Sequence, residues 1–309
     1  MRFLKSGEAG IALALILLCV GLSVESPEFL SADNLLTVAR QFSVYGTIAV
    51  GMTFVIVAGE IDLSVGSVLA LAGCLSAKLV VEQGWPLAAA FSAAILAGAA
   101  AGWVNGALTV GLGIPSFIIT LGMMSVVRGV TYVFTQAMPV SGLPDSYLFL
   151  GSGTVFGITV PVVTMALVAI AGGVILGYTP FGRAVYAVGG NLEAARLAGV
   201  ATNRVRILCF TALGALAALA GMLTAAWVTV AQPVAGEGYE LDVIAAVIIG
   251  GSSFSGGKGT VLGTMLGATL MGVLRNGLIL LGVNVYWQKI AIGAVIVTAV
   301  MLDRLRRKA

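Results

Sequence analysis

Long apolar stretches alternate with short polar or glycine-rich breaks along almost the whole chain. A helix needs about 20 apolar residues to cross the hydrocarbon core of a bilayer. The pattern predicts about ten spans, with about eight to eleven possible, at residues 9–24, 42–58, 63–81, 87–110, 116–135, 160–178, 207–230, 243–250, 261–281 and 287–302. The eighth stretch is too short to span unless Glu240 and Asp242 lie partly in the membrane.

The first apolar stretch follows Arg2 and Lys5 and has the layout of a signal peptide. No A-x-A site follows it, so we favour a retained first span whose start is held in the cytoplasm by the basic residues. The next segment has a proline break, an N-cap at Ser31 or Asp33 and a short amphipathic turn. We interpret it as a periplasmic element that leads into the second span.

The longest polar interruption, residues 179–206, contains four arginines and one short predicted helix. Asn191 is a good N-cap, Glu193 suits the positive end of the helix dipole, and Gly199 suits a left-handed helix end. A helix of about two turns is not stable alone in water, so something must pack on it. The segment is either an ordinary connector or a docking helix for a soluble partner.

Basic residues orient the predicted spans, because lysine and arginine near span ends favour the cytoplasmic side. Ten spans place the N-terminus, residues 179–206 and the basic tail on the same side of the membrane. That tail contains Arg304, Arg306, Arg307 and Lys308. We therefore predict that both termini are cytoplasmic.

Composition restricts the class of protein. Of the 309 residues, 59% are hydrophobic and only 9% are charged, whereas about a quarter of the residues of a soluble domain are charged. We predict an all-α polytopic membrane protein embedded in the lipid bilayer, with one transmembrane domain, 1–309. It divides into N-terminal spans 1–178, a cytoplasmic loop 179–206, and C-terminal spans and tail 207–309. The net charge of +3 argues against nucleic acid as a partner.

Two pairs of stretches echo each other. GEIDLSVGSVLALAG at 59–73 resembles YELDVIAAVIIGG at 239–251, and NGALTVGLGI at 105–114 resembles NGLILLGV at 276–283. Spans two to five then match spans seven to ten, and the odd offset makes the two units face opposite ways. Such inverted repeats are typical of transporters, with substrate handled near their interface. Chance similarity among helices rich in glycine, alanine and leucine is the alternative.

Carboxylates close to spans are costly and are usually functional. Glu60 and Asp62 lie between spans two and three, and Glu240 and Asp242 lie at the equivalent place in the second half. In one interpretation they mark helix breaks with a gating role, with Asp62 and Ser64 capping span three and Asp242 capping span eight. In the other they couple transport to protons or cations. We favour capping and gating, because no histidine or further mid-membrane acid continues a relay.

The glycine-rich segment 250–260 has a Gly-Lys pair, as a phosphate-binding P-loop does. Lys258 is followed by Gly259 rather than by the Ser or Thr that holds magnesium, and Ser252 stands where the first glycine should be. We interpret the segment as a tight cytoplasmic turn. The sequence has no GxSxG, HExxH or CxxC motif, and its cysteines lie in apolar runs. We therefore predict no catalytic residues, no metal site and no cofactor on this chain.

Several stretches together resemble the ribose-type permease family of bacterial ABC sugar importers. They are GMTFVIVAGEIDLSVGSVLALAG, VRGVTYVFT, FGRAVYAVGGNLEAARLAGV, QPVAGEGYELDVIAAVIIGGSSFSGGKGTVLGT and NGLILLGV. The EAA-x3-G pattern within residues 193–199 is similar to the loop that ABC permeases insert into a groove of their ATPase subunit. The chain lacks the fuller extension of this motif seen in maltose-type permeases.

The resemblance implies a permease (pore-forming) domain and makes residues 179–206 a coupling loop. It also implies a bacterial inner-membrane subunit that works with a second permease copy, as a homodimer or heterodimer. Its partners are then a cytoplasmic ATP-binding cassette subunit, as two copies or a fused pair, and a periplasmic sugar-binding protein. The residues expected to couple to the ATPase are Asn191, Glu193, Ala194, Ala195, Arg196 and Gly199.

The substrate path is placed on span five. Arg128, in the middle of that span, needs a partner or a wet cavity. It either hydrogen-bonds a sugar hydroxyl or, as we favour, pairs with a carboxylate elsewhere. The other residues assigned to the path are Phe117, Thr120, Met123 and Met124. Arg275 and Lys289 lie near predicted span ends, from which both can reach the interface.

Two other classes of protein compete with the ABC permease. One is a self-sufficient, proton-coupled secondary transporter of a small polar solute that uses Glu60, Asp62, Glu240 and Asp242. The other is a passive channel. The energy source for uptake separates all three classes.

Overall fold

The fold is all-α, as the apolar pattern predicts. The computed structural model describes residues 6–306, in which the helices are α1 (Ser6–Glu25), α2 (Ala32–Val57), α3 (Val65–Val81), α4 (Leu87–Leu112), α5 (Ser116–Thr135), α6 (Asp145–Ser152), α7 (Val160–Tyr178), α8 (Pro180–Gly190), α9 (Leu192–Leu197), α10 (Thr202–Val228), α11 (Tyr239–Ile249), α12 (Val261–Leu280) and α13 (Val285–Arg306). A 3-10 helix, Pro27–Leu30, precedes α2. A hairpin of β1 (Thr154–Val155) and β2 (Ile158–Thr159) precedes α7.

Seven helices in the described part of the chain are long and apolar enough to cross a membrane: α1, α2, α4, α5, α7, α10 and α12. The protein is therefore a multi-pass membrane protein. A described helix lies at each of the ten predicted stretches, but α3 has only 17 residues and α11 only 11. The count of ten full spans stays a prediction. Arg2, Lys5, Arg307 and Lys308 lie outside the described residues.

Three polar segments are more ordered than the sequence suggested. The expected periplasmic element is the 3-10 helix followed directly by α2, whose N-cap Ser31 accepts a hydrogen bond from the Asn34 N–H at 3.3 Å. Residues 138–159, a stretch rich in proline, glycine and serine that predicts a loop, contain α6 and the hairpin, and α8 fills the first part of residues 179–206. The physical reason is burial. Tyr147 in α6 and Val185 in α8 are fully buried against the bundle, and packing of this kind stabilises short helices.

Helix α10 lies at the centre of the bundle, where it packs against α4, α3 and α2. The packing is reciprocal between the two halves: α10 lies on α3 and α4, whereas α2 lies on α11 and α12. An inverted repeat that matches α2–α5 with α10–α13 predicts this exchange of partners. The repeat therefore gains support from the packing as well as from the sequence.

The two ends of the bundle differ. One end carries α8, α9 and residues 250–260, which contact each other, and we call it the α8–α9 face. The other end carries residues 136–144 and 229–238, which are joined by a β-bridge between Val140 and Ala231, and we call it the opposite face. Helix α10 runs from the first face to the second.

Glycines allow α4 and α10 to approach each other closely. A Cβ atom at Gly98 would lie 2.5 Å from the Gly214 carbonyl oxygen and 2.6 Å from the Ala218 Cβ. Gly111, farther along α4, has no heavy atom within 4 Å of its Cβ position. Lipid provides no hydrophobic driving force between helices, so membrane helices associate through close packing at small residues.

We predict that Gly98→Val lowers the stability of the protein by about 1–3 kcal/mol, because the valine overpacks the crossing of α4 and α10. Thermal unfolding in detergent measures the effect. Gly111→Val is the matched control, since it makes the same change on the same helix where there is open space. Equal melting temperatures for the two variants would contradict the packing.

Candidate functional site

Helix α9 projects from the α8–α9 face as an exposed, capped turn. The Asn191 side-chain oxygen accepts a hydrogen bond from the Ala194 N–H at 2.9 Å, and Glu193 lies in the first turn. Gly199 has φ +81° and follows the helix end. Ala195 is the one buried residue of α9, whereas Leu197 is 87% exposed. Leu197 therefore gives the end of the helix an exposed apolar surface.

Two surface cavities flank α9. One, of about 600 Å³, is lined by residues that include Glu193, Arg196 and Arg204. The other, of about 490 Å³, lies beside Glu60. Leu192 and Arg206 line both cavities. The helix is therefore a convex element between two concave surfaces, with both apolar and charged side chains available.

Helix α8 fixes α9 to the rest of the bundle. The α8 residue Gly189 packs on the Val57 carbonyl oxygen at the end of α2, and Gly257 donates its N–H to that oxygen at 2.9 Å. The Tyr186 hydroxyl donates to the Gly259 carbonyl oxygen at 2.6 Å, and burial raises the pKa of Tyr186. Lys258 is exposed, and its segment forms a turn packed on α2 and α8.

An ion pair joins the start of α10 to the first helix break. Arg206 Nε donates to Glu60 Oε1 at 2.6 Å, and both side chains are largely buried. Glu60 lies in the connector between α2 and α3, whereas Arg206 lies in α10 shortly after α9. In the sequence, Arg206 is one of four arginines in residues 179–206, with nothing to set it apart. The partners are 146 residues apart, so no local pattern identifies the pair.

Asp62 lies in the same connector and is buried without a cation partner among the described residues. Its Oδ1 accepts hydrogen bonds from the Ser64 N–H and hydroxyl, each at 2.7 Å, and its Oδ2 accepts from Asn105 Nδ2 at 3.0 Å. Burial raises the pKa of Asp62, and these hydrogen bonds oppose the rise. The carboxylate thus holds the residue directly before α3, but the Ser64 side chain makes no cap hydrogen bond to that helix, and the capping and gating roles stay predictions.

The second helix break, at the start of α11, is stabilised by an arginine. Glu240 and Asp242 lie in the first turn of α11, whose N-cap is Gly238 without a side-chain cap hydrogen bond, so Asp242 does not cap this helix as predicted. Arg275 donates from Nη2 to Asp242 Oδ2 at 2.8 Å and from Nη1 to the Tyr45 hydroxyl at 2.6 Å. Arg275 thus turns inward to the carboxylate and not toward the membrane interface. Lys289 lies outside the residues whose side chains are described.

The residues assigned to the substrate path do not gather around one cavity. Phe117 is exposed and lines the cavity beside Glu60, whereas Thr120 is fully buried. Met123 packs against the hydrophobic core, and Met124 is partly buried.

Arg128 does not pair with a carboxylate as favoured; instead its Nη1 donates to the carbonyl oxygens of Pro233 and Ala235, at 2.6 and 2.9 Å. Carbonyls lacking donors in the 229–238 loop satisfy the guanidinium.

The membrane-crossing helices and the buried carboxylates at two helix breaks are the architecture of a membrane transport protein. The family described as "Branched-chain amino acid transport system / permease component" matches residues 34–300, and the chain belongs to this family. It is therefore a permease component and not itself an enzyme.

Individual relatives refine the comparison. The chain is 43% identical to the ribose import permease protein RbsC of Haemophilus influenzae over 98% of this chain and 94% of the relative. It is 45% identical to RbsC of Bacillus subtilis over 96% and 92%. It is 39% identical to the D-allose transport system permease protein AlsC of Escherichia coli over 92% and 87%. The resemblance to ribose-type permeases is thus confirmed. No solved structure matches the chain significantly.

We predict that Arg275→Met destabilises the protein by about 1–3 kcal/mol or more, because Asp242 then keeps a charge without a partner. The double variant Asp242→Leu/Arg275→Met recovers much of this loss, since both charges are removed together. Thermal unfolding of Arg275→Met, Asp242→Leu and the double variant measures the interaction energy between the two side chains. Additive losses in the double variant would show that the pair is not coupled.

Proposed function

We propose that the chain is the membrane-spanning subunit of an ABC importer for ribose or a closely related monosaccharide. The observation that carries this proposal is the similarity to ribose import permeases along nearly the full length of both chains. Ribose is named as the substrate of those relatives, and the substrate of this chain is inferred from them. A relative named as a D-allose permease supports the same class of solute, a monosaccharide.

The proposed location is the bacterial inner membrane, with both termini and the α8–α9 face in the cytoplasm. The exposed arginines on this face, Arg183, Arg196 and Arg204, follow the preference of basic residues for the cytoplasmic side. The proposed partners are a cytoplasmic ATP-binding cassette subunit, present as two copies or a fused pair, a periplasmic sugar-binding protein and a second permease copy. The chain itself carries no cofactor in this proposal, because ATP is bound by the partner.

Helix α9 is the proposed coupling element. Its cap residues Asn191 and Gly199 hold the helix rigid, and Glu193, Ala194, Ala195 and Arg196 form the body that enters the groove of the ATPase subunit.

Movement of α9 on ATP binding reaches the membrane helices along two routes. One route is the packing of α8 on the end of α2. The other is the ion pair between Arg206 and Glu60, which pulls on the connector that Asp62 and Ser64 fix to α3.

Proton coupling through the carboxylates is the alternative function. Three of the four acids named for this alternative are already engaged: Glu60 with Arg206, Asp62 with Ser64 and Asn105, and Asp242 with Arg275. These contacts divide the acids into separate sites instead of joining them in a relay. The arrangement therefore favours a structural and gating role over proton transfer.

Uptake of ribose into reconstituted vesicles tests the proposed function. We predict uptake only when the ATPase subunit, ATP and the sugar-binding protein are all present. Uptake by this chain alone under a pH gradient would instead support a secondary transporter, and ungated flux would support a channel.

In the same vesicles, Glu193→Lys or Gly199→Pro is expected to abolish coupled uptake while the protein still inserts. The lysine places a positive charge at the positive end of the α9 dipole, and proline is incompatible with φ +81° at position 199. Glu25→Lys, at an exposed position on the far end of α1, is the control and keeps normal uptake. Normal uptake in the Glu193→Lys and Gly199→Pro variants would count against the docking role.

A further inference from the structure

A cavity of about 130 Å³ lies between α3, α10 and residues 229–238, toward the opposite face of the bundle. One ordered water needs about 10–15 Å³ measured in this way, so the cavity has room for a small solute. Its lining includes Cys74 on α3, Thr224 and Val228 on α10, and Gln232 and Tyr239 beyond α10. None of these residues was assigned to the substrate path from the sequence.

The polar groups of the cavity are mainly hydrogen-bond acceptors. Helix α10 ends at Val228, and Thr229 adopts a left-handed conformation with φ +63°. The last carbonyls of a helix have no donors within the helix, and they carry its partial negative charge. The Thr224 hydroxyl donates to the Ala220 carbonyl oxygen at 2.7 Å and so faces a ligand as an acceptor. Such a site suits a neutral molecule rich in hydroxyl groups and disfavours an anion.

Gln232 adds a group that can both donate and accept. It is exposed, and within residues 6–306 its side chain has no protein hydrogen bond. Tyr239 contributes an aromatic ring, held against the ring of Tyr45 with centroids 4.5 Å apart. An apolar wall with a few fixed polar groups is the usual construction of a small-molecule site.

The loop that closes the cavity is held in place from three sides. Arg128 binds the carbonyl oxygens of Pro233 and Ala235. The β-bridge joins Ala231 to Val140, with N···O distances of 2.9 and 3.0 Å. Gly236 packs against Gly66 at the start of α3. A preformed site of this kind binds without first paying the entropy of ordering a loop.

We propose that this cavity is a transient binding site for the neutral monosaccharide on its way through the permease, with Thr224 and Gln232 contacting the sugar hydroxyls. Arg128 is a positioning residue that shapes the site through the loop. The proposal rests on the proposed import of a sugar, and it assigns to that import a site on this chain in addition to the sugar-binding protein.

Thiol labelling tests the site without the ATPase or the binding protein. Cys19, Cys74 and Cys209 are replaced by alanine, and Val230→Cys places one thiol in the lining of the cavity. We expect ribose at high concentration to slow labelling of this thiol at least about twofold, and ribose 5-phosphate to have no effect, because the acceptors repel an anion. Val81→Cys, at the exposed end of α3, is the matched control and is not protected by either compound.

Transport supplies the second readout. In the complete complex, Gln232→Leu is expected to lower the maximal rate of ribose uptake by about two- to tenfold, the effect of losing one hydrogen bond to the sugar. Gln83→Leu makes the same change at an exposed turn on the same face and leaves the rate unchanged.

The outcomes separate the two claims. If the wild-type complex takes up no ribose with ATP and binding protein, the proposed function fails. If the wild-type complex transports ribose but the sugar does not protect the thiol at position 230, or the sugar phosphate protects it equally, the assignment of the cavity is overturned. Equal uptake by Gln232→Leu and Gln83→Leu would likewise overturn the role of Gln232.

Discussion

Lipid offers no hydrogen-bond partners, so every break in a membrane helix must be satisfied by the protein itself. This constraint explains the surroundings of two buried carboxylates, Asp62 and Asp242. Asp62 supplies acceptors to the backbone and hydroxyl of Ser64 where α3 begins, and Asn105 completes the shell from α4. At the second break, Asp242 is held by Arg275 from α12. Each carboxylate accepts a hydrogen bond from a side chain on a neighbouring helix, and these contacts hold the short helices α3 and α11 in position.

The two breaks are related by the repeat but are not chemically equal. Asn105 and Asn276 occupy corresponding places in the echoing stretches, yet only Asn105 binds the carboxylate of its own half. Asn276 instead exchanges two hydrogen bonds with Asn34, at 2.7 and 3.1 Å, and the neighbouring Arg275 takes the carboxylate. Asp62 at the first break is therefore held by neutral donors, whereas Asp242 at the second break is held by a cation. The first is also the one connected to α10 through Glu60 and Arg206, which makes it the better candidate for a moving gate.

Much of this organisation follows from local sequence. The apolar stretches predict the helices, and the short capped helix at 192–197 is readable because its N-cap and terminal glycine act within a few residues. Helix α8 was missed because the burial of Val185 and Val188 depends on the distant end of α2. The same limit applies to Arg128, whose partners are more than 100 residues away. The cavity beside Gln232 arises where α3, α10 and a loop meet, and one-dimensional patterns do not contain that information.

The central claim is that α9 lies on the cytoplasmic side and is covered there by an energy-supplying subunit. The most direct test is the accessibility of a single thiol, introduced as Leu197→Cys at an exposed side chain of α9, to a reagent that cannot cross membranes. The account predicts labelling in inside-out vesicles, none in right-side-out vesicles, and protection when the ATPase subunit is bound. Labelling from the periplasmic side, or no protection by the bound ATPase, would contradict it.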